Sequence, residues 1–506
     1  MKPLEGPSIV ARLTAAGLLL HLYAAHYYGY FVDELYFLAC SRHLAWGYVD
    51  MPPLVPGIVW LTRTLLGDSL AAIRVPAMLA GAATIWLAGR LARELGGGRF
   101  AQALAALSVL VAPSLLSMTH YVSMNAFEQV LWLGFAFAVA RIIRTGNQKL
   151  WLWVGLIAGI GLNNKYSILF LGIGITVGLL LTPARAAFAK PWIWLGAAIA
   201  FALIVPNLAW NVRNHFPFLE LMANIRRTNY NMSFTPLQFF GIQVTFLLPF
   251  NLLVWLPGLC WYLFAAEGRR WRALGIAWIV IAAIMFLPNG KPYYLLPAYP
   301  MLLAAGGVAL EKWLARPRLA WCRSTLVWTL VCAGISALPF ALPVLPPELY
   351  VRYSGWMHFS PPVIIRGQFG QLPHFFADQF GWPEMAAAVA RAYNGLPAEE
   401  RAKTAILAQR YGEAGAVDLF GERQGLPAAI CGHQNYYLWG SRGYSGESAI
   451  AYGFSRERLE FWFASVEDAG TVDHPWSPEH EHFTVFHCRA PKRPLQELWP
   501  ELKNWD

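Results

Sequence analysis

The sequence predicts a polytopic α-helical membrane protein with a small extracytoplasmic α/β domain at its C-terminus. Three observations predict this fold class. Apolar residues make up 57% of the 506 residues, and charged residues make up only 13%, against roughly 25% in soluble domains. The apolar residues form runs of about 20, the length that crosses a bilayer. These runs end near residue 345, where polar and charged residues return.

About eleven apolar runs, and at most 13, are predicted to span the membrane as helices. They cover residues 8–27, 71–94, 101–119, 123–143, 149–162, 166–182, 191–211, 237–266, 271–288, 293–314 and 324–343. A further run, 53–66, is short and interrupted by prolines. We therefore expect it to form an interfacial helix instead of a span.

The basic residues orient these spans. Residues 1–345 carry 25 Lys and Arg against 10 Asp and Glu, whereas residues 346–506 carry 14 against 19. With the N-terminus in the cytoplasm, the inside segments hold 17 basic and four acidic residues, as the positive-inside rule requires. The segments 28–70, 163–165, 212–236, 289–291 and the tail are then extracytoplasmic. The basic excess belongs to membrane loops, so nucleic acid is not predicted as a partner.

The tail changes character after a proline-rich entry, which predicts a transmembrane domain at 1–345 and a separate domain at 346–506. Pro383–Tyr393 is predicted to be a short helix with proline in its first turn. Strands are predicted at Thr404–Gln409, Ala428–Cys431 and His482–Cys488. Cys431 and Cys488 could form a disulfide if the domain is extracytoplasmic, although their spacing alone does not establish it.

An adjacent Asp33-Glu34 pair follows the first predicted span within an aromatic segment. A carboxylate at the membrane surface could act as a general base, and partial burial or a neighbouring carboxylate could raise its pKa toward that task. A solvated loop or a helix cap would explain the same pair. The turn that follows, at 47–54, contains Tyr48 and two prolines. It fits a rigid loop as well as a substrate contact.

Asn125 and Glu128 begin the fourth predicted span and share one helix face, because they are three residues apart. An acidic side chain inside an apolar helix is a functional candidate by default. A hydrogen bond to a neighbouring helix is the alternative explanation.

Five of the eight basic residues outside the cytoplasmic segments are singled out because they break the positive-inside pattern. They are Lys165, Lys291, Arg213, Arg226 and Arg227. Cations in these positions suggest an anionic ligand such as a phosphate. Lipid-headgroup contact or snorkelling explains each of them singly, but five cations beside two carboxylate sites favour the ligand.

Together these motifs resemble glycosyltransferase family 39 in its broad bacterial sense. This grouping includes protein O-mannosyltransferase-like enzymes and lipid A aminoarabinose transferases of the GT-C superfamily. The resemblance runs from residue 8 to 345, with a weaker echo in the tail at 409–414 and 433–440. The matching motifs are Asp33-Glu34, Gly47-Tyr48…Pro52-Pro53-Leu54, Lys165-Tyr166-Ser167, Trp210-Asn211…His215-Phe216-Pro217 and Lys291-Pro292-Tyr293-Tyr294…Leu296-Pro297.

The resemblance implies a GT-C-type membrane domain and a glycosyltransferase of EC 2.4 type. Such an enzyme moves a monosaccharide from a polyprenyl-phosphate-sugar donor to an acceptor hydroxyl, with inversion, on the periplasmic side of the bacterial inner membrane. The implied partners are this donor, membrane lipids and an acceptor glycan, lipid or protein. Asp33 would be the general base, and Glu34 would orient or support it.

The resemblance also implies roles for the remaining residues. Lys165 and Lys291 would stabilise the leaving phosphate. The weaker phosphate or sugar contacts would be Arg213, Arg226, Arg227 and His215, and the substrate pocket would be lined by Tyr48, Asn125, Tyr293 and Tyr294.

The sequence departs from the family pattern at Asn125, where many relatives carry a carboxylate. Asparagine cannot act as a base, and Glu128, one turn later, could take over that function. No cofactor is firmly implied. A divalent metal stays open, because the two carboxylate sites, Asp33 and Glu128, could hold one.

Two other function classes fit parts of the pattern. A transporter or flippase of a lipid-linked anion would show charges near mid-bilayer and often inverted repeats, whereas the polar residues here cluster on one side. A non-catalytic assembly partner that binds cell-wall components through its tail is less consistent with Asp33-Glu34.

Overall fold

The computed structural model describes residues 8–228, 232–287, 290–364 and 370–505. Pro288 and Asn289, at the predicted end of the ninth span and in the loop after it, lie outside the described residues. The chain divides into two compact units. The first unit comprises Met1–His26, Ala71–Ala209 and Asn231–Val344, and the second comprises Tyr27–Leu70, Trp210–Tyr230 and Leu345–Asp506.

The first two thirds of the described chain are helical. The helices are α1 (Ile9–Ala24), α2 (Val32–Arg42), α3 (Leu54–Leu66), α4 (Leu70–Glu94), α5 (Arg99–Leu110), α6 (Pro113–Met118), α7 (Met124–Thr145), α8 (Trp151–Asn164), α9 (Ile168–Leu180), α10 (Pro191–Arg213), α11 (Pro217–Arg227), α12 (Pro236–Phe246), α13 (Leu252–Phe264), α14 (Arg272–Phe286), α15 (Tyr299–Trp313) and α16 (Ala320–Ala337).

The C-terminal part contains short helices and five strands. The helices are α17 (Pro347–Met357), α18 (His374–Ala377), α19 (Trp382–Asn394), α20 (Ala398–Arg401), α21 (Tyr411–Ala416), α22 (Asn435–Trp439), α23 (Arg456–Trp462) and α24 (Leu495–Leu502). The strands are β1 (Thr404–Ala408), β2 (Ile430–Cys431), β3 (Ser448–Tyr452), β4 (Phe463–Val472) and β5 (Phe483–Pro491).

Glycines let the helices of the first unit approach closely. A Cβ atom on Gly258 of α13 would lie 2.1 Å from the carbonyl oxygen of Leu302, and one on Gly306 of α15 would lie 1.9 Å from that of Val254. Only glycine fits at such distances. Small residues at helix contacts are typical of membrane bundles, because close backbone packing there replaces the hydrophobic effect.

Helices occupy most of the described residues in each of the eleven predicted spans, which supports a multi-pass membrane protein. Within the described residues, five helices are individually long and apolar enough to cross a membrane, or seven if each of two bent pairs is one span. The count of eleven stays a prediction. Residues 54–66 form the predicted helix, α3, and its interfacial position also stays a prediction.

Two predicted spans are wrong as single helices. The run 237–266 is bent by 101° between α12 and α13. The reason is Pro249, which lacks a backbone N–H, preceded by Leu248 in the left-handed region (φ 74°). The run 101–119 is divided into α5 and α6 at Pro113, which begins α6.

The C-terminal part of the second unit is built on a five-stranded mixed sheet. The strand order is β2-β1-β3-β5-β4. β1 pairs in parallel with β2 and β3, and β5 pairs antiparallel with β3 and β4. Leu407 lies opposite Ile430 and Ala451, which sets the register of the parallel strands. Buried side chains on the sheet and on α23 and α24 form its core.

The small sheet confirms the predicted α/β character of the tail. The predicted helix at 383–393 corresponds to α19, and the three predicted strands correspond to β1, β2 and β5. The strands β3 and β4 were missed. β3 has the sequence Ser-Ala-Ile-Ala-Tyr, which has little β-branched character, and β4 lies at the sheet edge with charged residues along it.

Cys431 and Cys488 are both buried free thiols. Cys431 lies on β2 and Cys488 on β5, with β1 and β3 between them. Neighbouring strands are about 4.8 Å apart, so the two sulfur atoms are too far apart for a disulfide. The suggested pairing of these cysteines is therefore wrong.

Candidate functional site

Asp33 and Glu34 lie in the first turn of α2, in the second unit. The Glu34 carboxylate is buried and accepts a hydrogen bond from the backbone N–H of Phe31 at 2.9 Å. A carboxylate in this position satisfies a free donor at the helix start and interacts favourably with the helix dipole. Glu34 therefore caps α2 and fixes the turn that carries Asp33.

The Asp33 side chain is half-buried and receives a hydrogen bond from the tail. The phenol of Tyr411, at the start of α21, donates to Asp33 Oδ1 at 2.8 Å. The ring of Tyr411 packs against those of Tyr36 and His433, with centroids 4.7 Å and 4.8 Å away. The carboxylate is thus held in one orientation by two segments that are far apart in sequence.

Two further carboxyl groups interact electrostatically with Asp33. Burial raises the pKa of Asp50 to about 7, and the charge of Asp33 acts in the same direction. Burial and then the charge of Asp33 raise the pKa of Asp378 to about 8, and Arg410 opposes this. Tyr36 donates a hydrogen bond to Asp50 at 2.9 Å. Within this acidic cluster (Asp33, Asp50 and Asp378), Asp50 and Asp378 therefore hold protons close to neutral pH that ordinary aspartates would have lost.

Asp50, Asp378 and Tyr411 were not predicted as site residues. Asp50 lies in the same turn as Tyr48. An acidic residue beside two prolines was the feature of the sequence that could have marked it as a candidate. Tyr411 belongs to the segment 409–414, which was noted only as a weak family echo. Asp378 had no local signal, because only the tertiary fold brings it near Asp33.

Tyr48 is buried, and its hydroxyl forms hydrogen bonds with the backbone of the preceding residues. The hydroxyl accepts a hydrogen bond from the backbone N–H of Ala45 at 3.2 Å and lies within hydrogen-bond distance of the carbonyl oxygens of Cys40 and His43. Tyr48 therefore fastens the loop after α2 to the end of that helix.

Lys165 is the centre of a second group, in the first unit. Its Nζ donates to Asn125 Oδ1 at 2.8 Å and to Glu128 Oε2 at 3.0 Å. The Ser167 hydroxyl donates to the other oxygen of Glu128. The same Nζ lies 4.4 Å from the ring centroid of Tyr294 and 5.6 Å from that of Tyr293, which favours the cation.

Five predicted residues thus meet in this lysine cluster: Asn125, Glu128, Lys165, Tyr293 and Tyr294. Glu128 is buried with 2% exposure, and it is the counter-ion of Lys165. The two opposite charges compensate each other at this buried position.

Lys291 precedes the helical turn Pro292–Ala298, which continues into α15. Its side chain is partly buried. Gln243 of α12 donates to the carbonyl oxygen of Pro292 at 2.8 Å and so fixes the start of this turn. A cation beside the N-terminal end of a helix adds to the positive end of the helix dipole.

The remaining predicted residues lie at the end of α10 and on α11, in the second unit. Arg213, His215, Arg226 and Arg227 are all exposed. His215 and Phe216 adopt left-handed backbone conformations that turn the chain between the two helices. The apolar face of α11 packs through Leu221 against Val49 and Trp505. Arg226 and Arg227 therefore lie on the exposed side of a docked amphipathic helix, whereas Arg213 and His215 precede it.

Among the described residues there is no group of three or more His, Cys, Asp and Glu side chains arranged to hold a metal ion. The Asp33 carboxylate accepts a hydrogen bond from Tyr411. The Glu128 carboxylate accepts hydrogen bonds from Lys165 and Ser167.

Solved structures with this architecture are available for comparison. Crystal structures of ArnT from Cupriavidus metallidurans, in the apo state and bound to undecaprenyl phosphate, align with TM-scores of 0.62 and 0.63 at 16% and 15% identity. Each alignment covers 94% of this chain and 97% of ArnT. The chain has the fold of ArnT.

Sequence comparisons agree with the ArnT fold over part of the chain. A family model described as dolichyl-phosphate-mannose-protein mannosyltransferase matches residues 50–210. The lipid A galacturonosyltransferase RgtD of Rhizobium johnstonii is 26% identical over 220 residues, which is 42% of this chain and 45% of RgtD. The chain therefore matches less than half the length of RgtD.

These matches confirm the resemblance to glycosyltransferase family 39 and the GT-C type of fold. An ArnT-type fold with this many apolar helices also makes the chain a multi-pass membrane protein. The matched proteins are described as transferases, which does not favour the alternative of a lipid-linked anion transporter.

Proposed function

We propose that this protein is a membrane glycosyltransferase that moves a monosaccharide from a polyprenyl-phosphate-sugar donor to an acceptor hydroxyl. The observation that carries the proposal is the half-buried Asp33 carboxylate, held in the first turn of α2 by Tyr411. A carboxylate in this setting is suited to accept a proton.

The relatives support the substrate class. One ArnT structure is described as bound to undecaprenyl phosphate, and RgtD is described as a lipid A galacturonosyltransferase. By analogy, the donor here is a sugar linked to a polyprenyl phosphate, and a lipid-type acceptor comes first among the acceptors to be tested.

The proposed reaction is a single displacement. The acceptor hydroxyl oxygen attacks the anomeric carbon as Asp33 takes the hydroxyl proton. The bond between that carbon and the phosphate oxygen breaks, and its electron pair leaves with the phosphate. Attack opposite to the leaving group inverts the anomeric centre. Glu34 supports the reaction by fixing the turn of Asp33.

The leaving phosphate gains negative charge, and the basic residues of the first unit supply the compensating charge. Lys165, preorganised by Asn125 and the tyrosine rings, is one donor. Lys291, beside a helix start, is the second. Arg213, His215, Arg226 and Arg227 are exposed and serve as outer contacts for phosphate or sugar. The reaction takes place on the periplasmic side of the inner membrane.

The test is Asp33→Asn in reconstituted vesicles with a labelled polyprenyl-phosphate sugar and lipid A as acceptor. We expect transfer to fall by at least about 100-fold, because a positioned base contributes about that much or more. Asp68→Asn is the matched control, since Asp68 is exposed and pairs with Arg63. Equal transfer rates for Asp33→Asn and the unmodified protein would remove Asp33 as the base.

A further inference from the structure

We propose that Tyr411 is a positioning residue for Asp33, so that the C-terminal α/β segment completes the catalytic site. The inference rests on the proposed function of Asp33 as general base. It gives a role to the segment 409–414, which the proposed reaction does not otherwise use.

The contact between the two side chains is direct and well directed. The Tyr411 hydroxyl donates to Asp33 Oδ1 at 2.8 Å, across 378 residues of sequence. Its ring packs against those of Tyr36 and His433, with interplanar angles of 34° and 31°. The backbone N–H of Tyr411 also donates to His433 Nδ1 at 3.4 Å. These contacts restrict the ring and therefore the direction in which its hydroxyl donates.

Two glycines bring α21 against α2. A Cβ atom on Gly412 would lie 2.4 Å from Cγ2 of Val32, and one on Gly415 would lie 2.9 Å from the backbone of Leu35. Residues three apart share a helix face. In the sequence Tyr-Gly-x-x-Gly, the two glycines therefore form a flat face of α21 that packs against α2, the helix that carries Asp33. The phenol of Tyr411 lies at the start of α21.

The start of α21 is itself fixed. The buried Glu413 carboxylate accepts hydrogen bonds from the backbone N–H groups of Gln409 and Arg410, both at 2.9 Å. This cap sets the direction in which the chain enters α21. The position of the Tyr411 hydroxyl thus depends on Glu413, Gly412 and Gly415, all within one short segment.

The charged groups around Asp33 explain why a donor is needed. Asp50 comes from the loop after α2, and Asp378 follows α18. Both interact with Asp33 as like charges, whereas Arg410 opposes them at Asp378. Glu34 is on the same turn as Asp33 and is occupied by the Phe31 N–H. A phenol that donates to the carboxylate stabilises its ionised form against these neighbours.

The test is Tyr411→Phe, which keeps the ring and removes the hydroxyl. A hydrogen bond to a charged group contributes enough that we expect kcat to fall by about 10- to 100-fold. The acid limb of the pH profile should move upward by about one pH unit, and the KM for the donor should change little. Tyr444→Phe is the matched control, because the hydroxyl of this partly buried tyrosine donates to the Ala428 carbonyl oxygen at 3.3 Å.

Two further variants separate positioning from folding. In an Asp33→Asn background, Tyr411→Phe should cause no additional loss, since the phenol acts through the carboxylate. Gly412→Ala, which retains Tyr411 but pushes α21 away from Val32, should reproduce the upward shift of the acid limb.

The outcomes distinguish this inference from the proposed function. If Asp33→Asn is inactive and Tyr411→Phe has the unmodified rate and pH profile, Tyr411 is not a positioning residue and the proposed function stands. If Tyr411→Phe lowers the rate by one factor at every pH, its role is structural. An active Asp33→Asn variant would overturn the proposed base and this inference together.

Discussion

At the scale of single residues, the acidic cluster shows how one carboxylate is made different from its neighbours. Asp33 receives a phenol hydrogen bond at 2.8 Å. Asp378, by contrast, is buried and interacts with a like charge. Both effects raise its pKa, and Arg410 opposes the increase. Pairs of carboxyl groups whose environments push their pKa values apart are a common way of assigning different protonation states.

The raised pKa of Asp378, about 8, predicts a pH-dependent stability. The folded protein binds the Asp378 proton more tightly than the unfolded chain does. The free energy of unfolding should therefore fall as pH rises from about 4 to about 8. Asp378→Asn should reduce this fall, and thermal unfolding in detergent at pH 5 and pH 8 measures it. Asp473→Asn, at an exposed position, is the control. Parallel pH dependences for all three proteins would contradict the prediction.

At the scale of elements, the lysine cluster joins α7 to the connection between α8 and α9. Glu128 comes from α7, whereas Lys165 and Ser167 lie between α8 and α9. Asn164 adds a hydrogen bond to the carbonyl oxygen of Met124 at 2.8 Å. The pairing thus holds α7 to the connection between α8 and α9 and at the same time presents a cation beside two tyrosine rings.

This double role leads to a prediction with two readouts. Lys165→Met should lower both thermal stability and donor turnover, because it leaves Glu128 buried without a counter-ion, which costs about 3–5 kcal/mol. The double variant Lys165→Met with Glu128→Gln should recover stability but not turnover, since no cation faces the phosphate. Thermal unfolding and transfer from labelled donor measure the two effects.

The control for the lysine variants is Lys312→Met. Lys312 pairs with Glu267, and both side chains are about half exposed, so its loss should change stability little. If the double variant recovers turnover as well as stability, Lys165 is a structural partner of Glu128 and has no phosphate role.

At the scale of the whole molecule, the distribution of charge predicts the topology. Inside segments with 17 basic residues and outside segments with eight favour a cytoplasmic N-terminus. Alkaline phosphatase fused after residues 68 and 400 should be active, and green fluorescent protein fused after residue 146 should fluoresce in the cytoplasm. A cytoplasmic reporter at residue 400 would place the tail on the other side and overturn the assignment of a periplasmic reaction.

The lysine cluster could largely be predicted from sequence. Asn125 and Glu128 share a helix face, and Lys165 was placed on the same side of the membrane by the hydropathy pattern. The tyrosines followed from the motif at 291–297. What could not be predicted is that Glu128 pairs with Lys165, because a helix face specifies direction but not the neighbour that it meets.

The acidic cluster was predicted only in part, for a related reason. Asp33 stood out because carboxylates are rare near apolar spans. Asp50 lies in a turn that was interpreted from its prolines, as a feature of the backbone. Asp378 and Tyr411 lie more than 300 residues from Asp33 in the sequence. Their proximity depends on how α21 and the segment after α18 pack around α2, which no local pattern encodes.

The sequence by itself determined the membrane-embedded character, the position of nearly every apolar helix and the family resemblance. These properties depend on composition, on the length of apolar runs and on short motifs, all of which are local. Only the tertiary structure decided the separation of Cys431 from Cys488, the pairing of Glu128 with Lys165 and the contact of Tyr411 with Asp33. Each of these depends on packing between distant segments, where the free energy comes from neighbours that the chain meets only once it has folded.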